Sequence, residues 1–123
     1  MYELTVEDSF DAAHCLRGYE GACERLHGHT YRVQVVLRVS RLDEIGISLD
    51  FREVKTRLGE VLGELDHQYL NDLPAFAAQN PSAENVARHV YDAMSDKFEG
   101  RVFKVTVWET PTSAASYFKD SGE

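Results

Sequence analysis

The polarity pattern along this chain has two periods. Over the first ten residues Tyr2, Leu4, Val6 and Phe10 alternate with Glu3, Thr5, Glu7 and Ser9, as in a strand with one face buried. A longer alternation sets Tyr31, Val33, Val35, Leu37 and Val39 against Arg32, Gln34, Arg38 and Ser40, and predicts a second strand. Residues 15–26, between them, are rich in glycine and charge and read as a loop. From Arg52 the spacing becomes helical: Val54, Leu58, Val61, Leu62 and Leu65 share one face, and Asp50 with Glu53 resembles a capping box.

Pro74 and Pro81 mark residues 71–81 as a loop. Ser82 then caps a second helix whose apolar stripe is Val86, Val90 and Met94, and Gly100 closes it. Phe103, Val105 and Val107 alternate as a third strand, and residues 113–119 form a weaker fourth. Two amphipathic helices need a sheet face to cover. The prediction is an α+β fold of order ββααββ, a four-stranded antiparallel sheet with both helices on one face. Its other face is mixed and must meet water or a partner subunit.

Length and composition narrow the field further. The 123 residues fit one domain, residues 1–123, and 43% hydrophobic with 28% charged residues is ordinary for a globular protein. A net charge of -8 without a basic run argues against nucleic acid as a partner. No basic-then-apolar leader and no apolar run of roughly 18 residues is present, so the expectation is a cytoplasmic protein without a membrane span. There Cys15 and Cys23 would stay thiols.

Candidate chemistry gathers at the head of the second strand. His27 and His29 stand two apart, so their imidazoles project from the same strand face. His14 has the parity of Phe10 and can point to the same apolar side. Three neutral imidazoles with an open fourth position describe a catalytic zinc site. A lone His-x-His is more often coincidence than ligand; the third histidine and a nearby cysteine set this one apart. His89, inside the second helix without acidic or histidine company, reads as a surface or packing residue.

The run Cys23-Glu24-Arg25-Leu26-His27-Gly28-His29 resembles the 6-pyruvoyltetrahydropterin synthase superfamily, specifically its 6-carboxytetrahydropterin synthase branch of the queuosine pathway. Other segments match in order: Phe10-Asp11-Ala12-Ala13-His14, Leu49-Asp50-Phe51 with Lys55, Leu65-Asp66-His67, Leu70-Asn71-Asp72, residues 80–85 and Trp108-Glu109-Thr110. The resemblance spans essentially the whole chain. It implies a T-fold (tunnelling fold) that closes sheets into a barrel, as a homohexamer made of two trimers. It also implies a zinc lyase acting on 7,8-dihydroneopterin triphosphate, a small-molecule pterin, to yield 6-carboxytetrahydropterin, acetaldehyde and triphosphate. The short cysteine-to-HGH spacing favours the carboxy branch over the biopterin branch, whose product keeps its three-carbon side chain. Arg52 and Ser82 depart from the glycine and threonine common in the family.

Residue roles divide between pattern and resemblance. Cys23 is by spacing either a thiolate base or a passive loop thiol, and Asp66-His67 either a relay pair or a solvated helix end. The resemblance assigns Cys23, Asp66 and His67 to a proton-transfer triad, possible across a subunit boundary. Cys15 points away from His14 in extended chain and reads as inert. Residues 82–85 cap a helix, and the resemblance also borders them on the pterin pocket. Glu109 shares the parity of Phe103, Val105 and Val107, so a straight strand would aim it at the covered side, while a strand ending at Trp108 would turn it into solvent. The resemblance makes it the pterin anchor. Arg17, Arg25, Arg32 and Lys55 are candidates for the triphosphate. The alternatives are 6-pyruvoyltetrahydropterin synthase, a sepiapterin-processing relative, and a non-catalytic zinc- or pterin-binding T-fold module.

Overall fold

The structure, a computed structural model, describes residues 1–18 and 25–120. Its elements are β1 (Tyr2–His14), β2 (His27–Val39), α1 (Phe51–Gly63), β3 (Gln68–Tyr69), α2 (Ala83–Phe98), β4 (Val102–Thr110) and β5 (Ser113–Tyr117), with two short 3-10 turns between β3 and α2. Asp50 caps α1 by accepting the Arg52 N–H at 2.8 Å, and Ser82 Oγ caps α2 from the Asn85 N–H at 3.2 Å. Both are the cap residues expected. Glu99 and Gly100 end α2 with positive φ angles of 42° and 76°, a reversal that glycine adopts without a Cβ penalty.

The sheet has five strands in the order β3-β1-β2-β4-β5, not the four antiparallel strands expected. The added strand, β3, is two residues long and runs parallel to β1, pairing Gln68 with Ala12 and Tyr69 with Ala13. So short a segment carries no alternation; non-local backbone pairing creates it. The other pairings are antiparallel, and β1 with β2 runs unbroken from Tyr2↔Val39 to His14↔His27.

One face of the sheet is dry. Val6, Phe10, Tyr31, Val33, Val35, Leu37, Val105 and Val107 bury themselves against Val54, Leu58, Val61 and Leu62 of α1 and Val86, Val90 and Met94 of α2. Phe10 and Tyr31 stack across β1 and β2 with centroids 4.8 Å apart.

Phe103 departs from its expected place on this face. The β2–β4 register shifts between Val36 and Leu37, so that Leu37 pairs with Val102 and Phe103 falls in the bulge. Val102 takes the core position, and Phe103 lies on the outer face beneath the Arg38 guanidinium, 3.4 Å from its ring centroid. A bulge inverts strand parity, and the hydrophobic pattern cannot show it when both residues are apolar. The outer face otherwise carries Glu3, Glu7, Arg32, Gln34 and Arg38, joined by Gln34-to-Glu7 and Arg38-to-Glu3 hydrogen bonds. No helix is long and apolar enough to cross a membrane.

Candidate active site and metal centre

The register brings the histidines together. His14 ends β1 directly opposite His27, the first residue of β2, and His29 lies opposite Ala12. All three share the inner face, so one end of the β1–β2 pair presents three imidazoles whose ligand atoms lie within 4.8 Å of one another. His14 is 1% exposed, and its ring meets those of His27 and His29 edge-on, at 4.5 and 5.1 Å.

Their hydrogen bonds fix the tautomers. His14 Nδ1 faces the Pro81 carbonyl at 2.7 Å, and His27 Nδ1 faces the Arg25 carbonyl at 2.6 Å. A carbonyl only accepts, so each Nδ1 carries its proton and donates. The two Nε2 atoms then face each other as lone pairs at 2.9 Å. His29 Nε2 is buried with no hydrogen-bond partner among the described residues, and so is the Tyr31 hydroxyl. Burial lowers the His29 pKa, opposed by the field of Glu109. Lone pairs converging in a dry corner repel unless a proton or metal cation lies between them. Backbone carbonyls that hold the Nδ1 protons turn the Nε2 atoms of both imidazoles toward a metal. The donor set fits a zinc ion.

Glu109 also turns toward this corner. Trp108 pairs with Ala114 and Thr110 with Ser113, so Glu109 is the extra residue of a bulge in β4. A bulge re-aims a side chain, and here Oε1 lies 3.8 Å from His14 Nε2 with the carboxylate 29% exposed. The strand continues past Trp108, so the reading in which Glu109 turns away does not hold. Glu109 lines a cleft of about 530 Å³ with Gly28, His29, Thr30, Arg32 and Trp108.

Asp66 and His67 occupy the other side of β2's first residues. Asp66 Oδ1 accepts the Asp11 N–H at 2.9 Å, while Oδ2 lies 2.9 Å from His67 Nδ1. His67 in turn donates its backbone N–H to the Asp11 carbonyl at 2.6 Å and takes a φ of 58°. Left-handed backbone is uncommon for a non-glycine residue and accompanies functional sites when the surroundings enforce it. The Asp11 N–H, then His67, hold the Asp66 carboxyl below its ordinary pKa. Asp66 thereby orients the imidazole, leaving Nε2 at the 78% exposed side chain's free edge. A cleft of about 590 Å³ is lined there by Asp11, Ala12, Gly28, His29, Thr30 and His67.

Sequence reasoning passed over Asp11. Its carboxylate accepts from the Thr30 hydroxyl across β1 and β2 and groups with Asp66 and His67. The signal was its parity, opposite to that of His14, within the Phe10–His14 motif. Cys23 lies outside the described residues. Cys15 Sγ sits 3.1 Å from the Tyr69 hydroxyl, and His89 packs on Phe76 with ring centroids 5.5 Å apart. Among the triphosphate candidates, Arg17 spends its guanidinium on the carbonyls of Asn71, Phe76 and Gln79. Arg32 lines the Glu109 cleft and stacks on Trp108 at 3.9 Å. Lys55 lines neither cleft, and Arg25 contributes the carbonyl that holds His27.

Comparison with known proteins gives the site its context. Residues 3–120 match the family described as 6-pyruvoyl tetrahydropterin synthase. The chain is 37% identical to a 6-carboxy-5,6,7,8-tetrahydropterin synthase of Synechocystis, covering 96% of this chain and 94% of that protein. Identity to the enzyme of the same name from Bacillus subtilis is 36%, over 98% of this chain and 88% of the relative. Among solved structures, the 6-pyruvoyl tetrahydropterin synthase of Caenorhabditis elegans superposes with a TM-score of 0.86 at 29% identity, covering 98% of both chains.

Proposed function

The chain belongs to the 6-pyruvoyl tetrahydropterin synthase family, and from that premise we propose that it is a 6-carboxy-5,6,7,8-tetrahydropterin synthase. On this reading it is a zinc-dependent lyase that converts 7,8-dihydroneopterin triphosphate to 6-carboxytetrahydropterin, releasing acetaldehyde and triphosphate, in the cytoplasm and on the queuosine pathway. The observation that carries it is the pair of His14 and His27 Nε2 lone pairs facing each other beside a His29 Nε2 that has no partner among the described residues, in a chain whose relatives bear that enzyme name.

Zinc held by His14, His27 and His29 would polarise the substrate's side-chain oxygens and ease proton removal from the adjacent carbons. The other steps fall to the chain's own groups. Asp66 holds the Nδ1 proton of His67, so Nε2 is the atom that takes or returns a proton at the cleft. Cys23, as thiolate, is the proposed base. Glu109 accepts two parallel hydrogen bonds from the ring N–H and amino group of the pterin, and Arg32 lines the same cleft. His67 and Glu109 line different clefts that share Gly28, His29 and Thr30. That division supports a site completed by neighbouring subunits in a hexamer of two trimers.

Product analysis tests the reading. Zinc-loaded protein supplied with 7,8-dihydroneopterin triphosphate should yield 6-carboxytetrahydropterin, with trapped acetaldehyde in equal amount. A sole product keeping all three side-chain carbons moves the protein to the pyruvoyl branch. Pterin binding without turnover makes it a non-catalytic module.

A further inference from the structure

At the opposite end of the sheet from the histidines, three arginines surround one cleft. The strand from His27 to Val39 spans roughly 40 Å at ~3.3 Å per residue, so this cleft is remote from the metal centre within one subunit. Its volume is about 320 Å³, and Arg38, Arg41 and Arg101 line it with the hydroxyl-bearing Ser40 and Ser48. That volume falls at the small end of the ~300–1,000 Å³ range of ligand pockets. So concentrated a positive charge is out of keeping with a chain of net charge -8.

Two of these guanidiniums are held in place through Nε, and their outer nitrogens have no hydrogen-bond partner among the described residues. The Arg38 N–H donates to the Arg101 carbonyl at 2.8 Å, which fixes the two residues side by side. Arg38 lies flat on Phe103 at 3.4 Å and gives its Nε to Glu3 at 2.7 Å. Arg101 gives its Nε to the Phe98 carbonyl at 3.1 Å. Arg41 and Arg101 form no ion pair with any described residue, and Glu3 is the one carboxylate paired at the cleft among them. Like charges brought together repel, and anchored forks lose little freedom when an oxyanion joins them. Arginine forks match phosphate oxygens bidentately.

We propose that the Arg38–Arg41–Arg101 cleft is a phosphate-binding site, shaped for a short phosphate chain. The phosphate comes either from a free anion or from the triphosphate of a substrate bound at a neighbouring subunit's metal centre; the second source rests on the proposed function, the first does not.

Calorimetric titration of inorganic triphosphate into the full-length protein at low ionic strength tests the site directly. The parent should bind saturably, and more weakly as salt is raised. The double variant Arg41→Gln/Arg101→Gln should weaken binding by roughly tenfold or more for each lost charge-assisted contact. Glu109→Gln should leave the binding of inorganic triphosphate unchanged. No saturable binding by the parent, or equal affinity in the double variant at matching circular dichroism, overturns the proposal. Steady-state kinetics of the double variant separates the sources. A raised KM with kcat kept identifies the substrate's own triphosphate, and an unchanged KM with triphosphate binding lost identifies a free anion. A protein that turns over no pterin triphosphate but binds inorganic triphosphate through these arginines would defeat the proposed function and leave this site standing.

Discussion

Replacing Glu109 by glutamine separates pterin binding from metal binding at one corner. The carboxylate Oε1 lies 3.8 Å from His14 Nε2, beyond the ~3.2 Å reach of an N–H···O hydrogen bond, so His14 does not consume its acceptor capacity. Both oxygens remain available for the ring N–H and amino donors of a pterin. Glutamine keeps the size, retains one acceptor, and turns an amino group against a donor of the ligand. Hydrogen bonds to charged groups contribute ~1.5–3 kcal/mol each. With the side chain 29% exposed, water competes and the loss belongs in the lower part of that range. About 2 kcal/mol is expected, roughly 30-fold in affinity. The assay is fluorescence titration of zinc-loaded parent and variant with a non-reacting oxidised pterin, alongside metal analysis of both. The zinc-to-protein ratio should not change. A dissociation constant within twofold of the parent refutes the anchor, and a matching fall in zinc content shows that Glu109 serves the metal instead.

Three further outcomes follow from the same geometry. His27→Ala should lose most of its zinc, from about one per subunit, while circular dichroism stays that of the parent; full occupancy would refute the ligand set. Asp66→Asn tests the carboxylate that the Asp11 N–H and His67 hold below its ordinary pKa. A depressed folded-state pKa contributes stability above the unfolded value of 3.8, lost as pH falls through the lower folded value. The melting-temperature gap between parent and variant should therefore be constant near neutrality and narrow below that value; a gap that persists into acid contradicts the assignment. Light scattering should report a hexamer, and a stable monomer at micromolar concentration would exclude the ring.

The parts of the fold legible in the sequence are those where one residue's environment repeats at a fixed interval. Val33, Val35 and Leu37 report the dry face of β2 because the pleat alternates without interruption. Asp50 and Ser82 report helix starts because capping is decided within three residues. Phe103 failed for want of such regularity, since the bulge that expels it depends on how β4 meets β2. Strand β3 escaped notice for the same reason. Two residues have no period, and their pairing partners, Ala12 and Ala13, lie more than fifty residues away.

The site divides along the same line. Strand parity places His14, His27, His29 and Glu109 on one face before any tertiary contact is known, because each sits an even number of residues from a core position on its own strand. The Glu109 case needed more than parity, since the bulge at Trp108–Thr110 had to aim the side chain without reversing it. Nothing comparable links His67 to that corner. Its place depends on the Asp11 carbonyl capturing its N–H in a left-handed turn and on Asp66 reaching back to the Asp11 N–H. Those contacts make Asp11 the link between β1 and the Asp66–His67 pair. His14 and Asp11 are three residues apart on β1, on opposite faces, so one strand carries the His14 imidazole on its dry side and the support of the Asp66–His67 pair on its wet side. On the proposed function, a desolvated cation and a proton-exchanging imidazole act on one substrate, and a single pleated strand would hold them at that closeness.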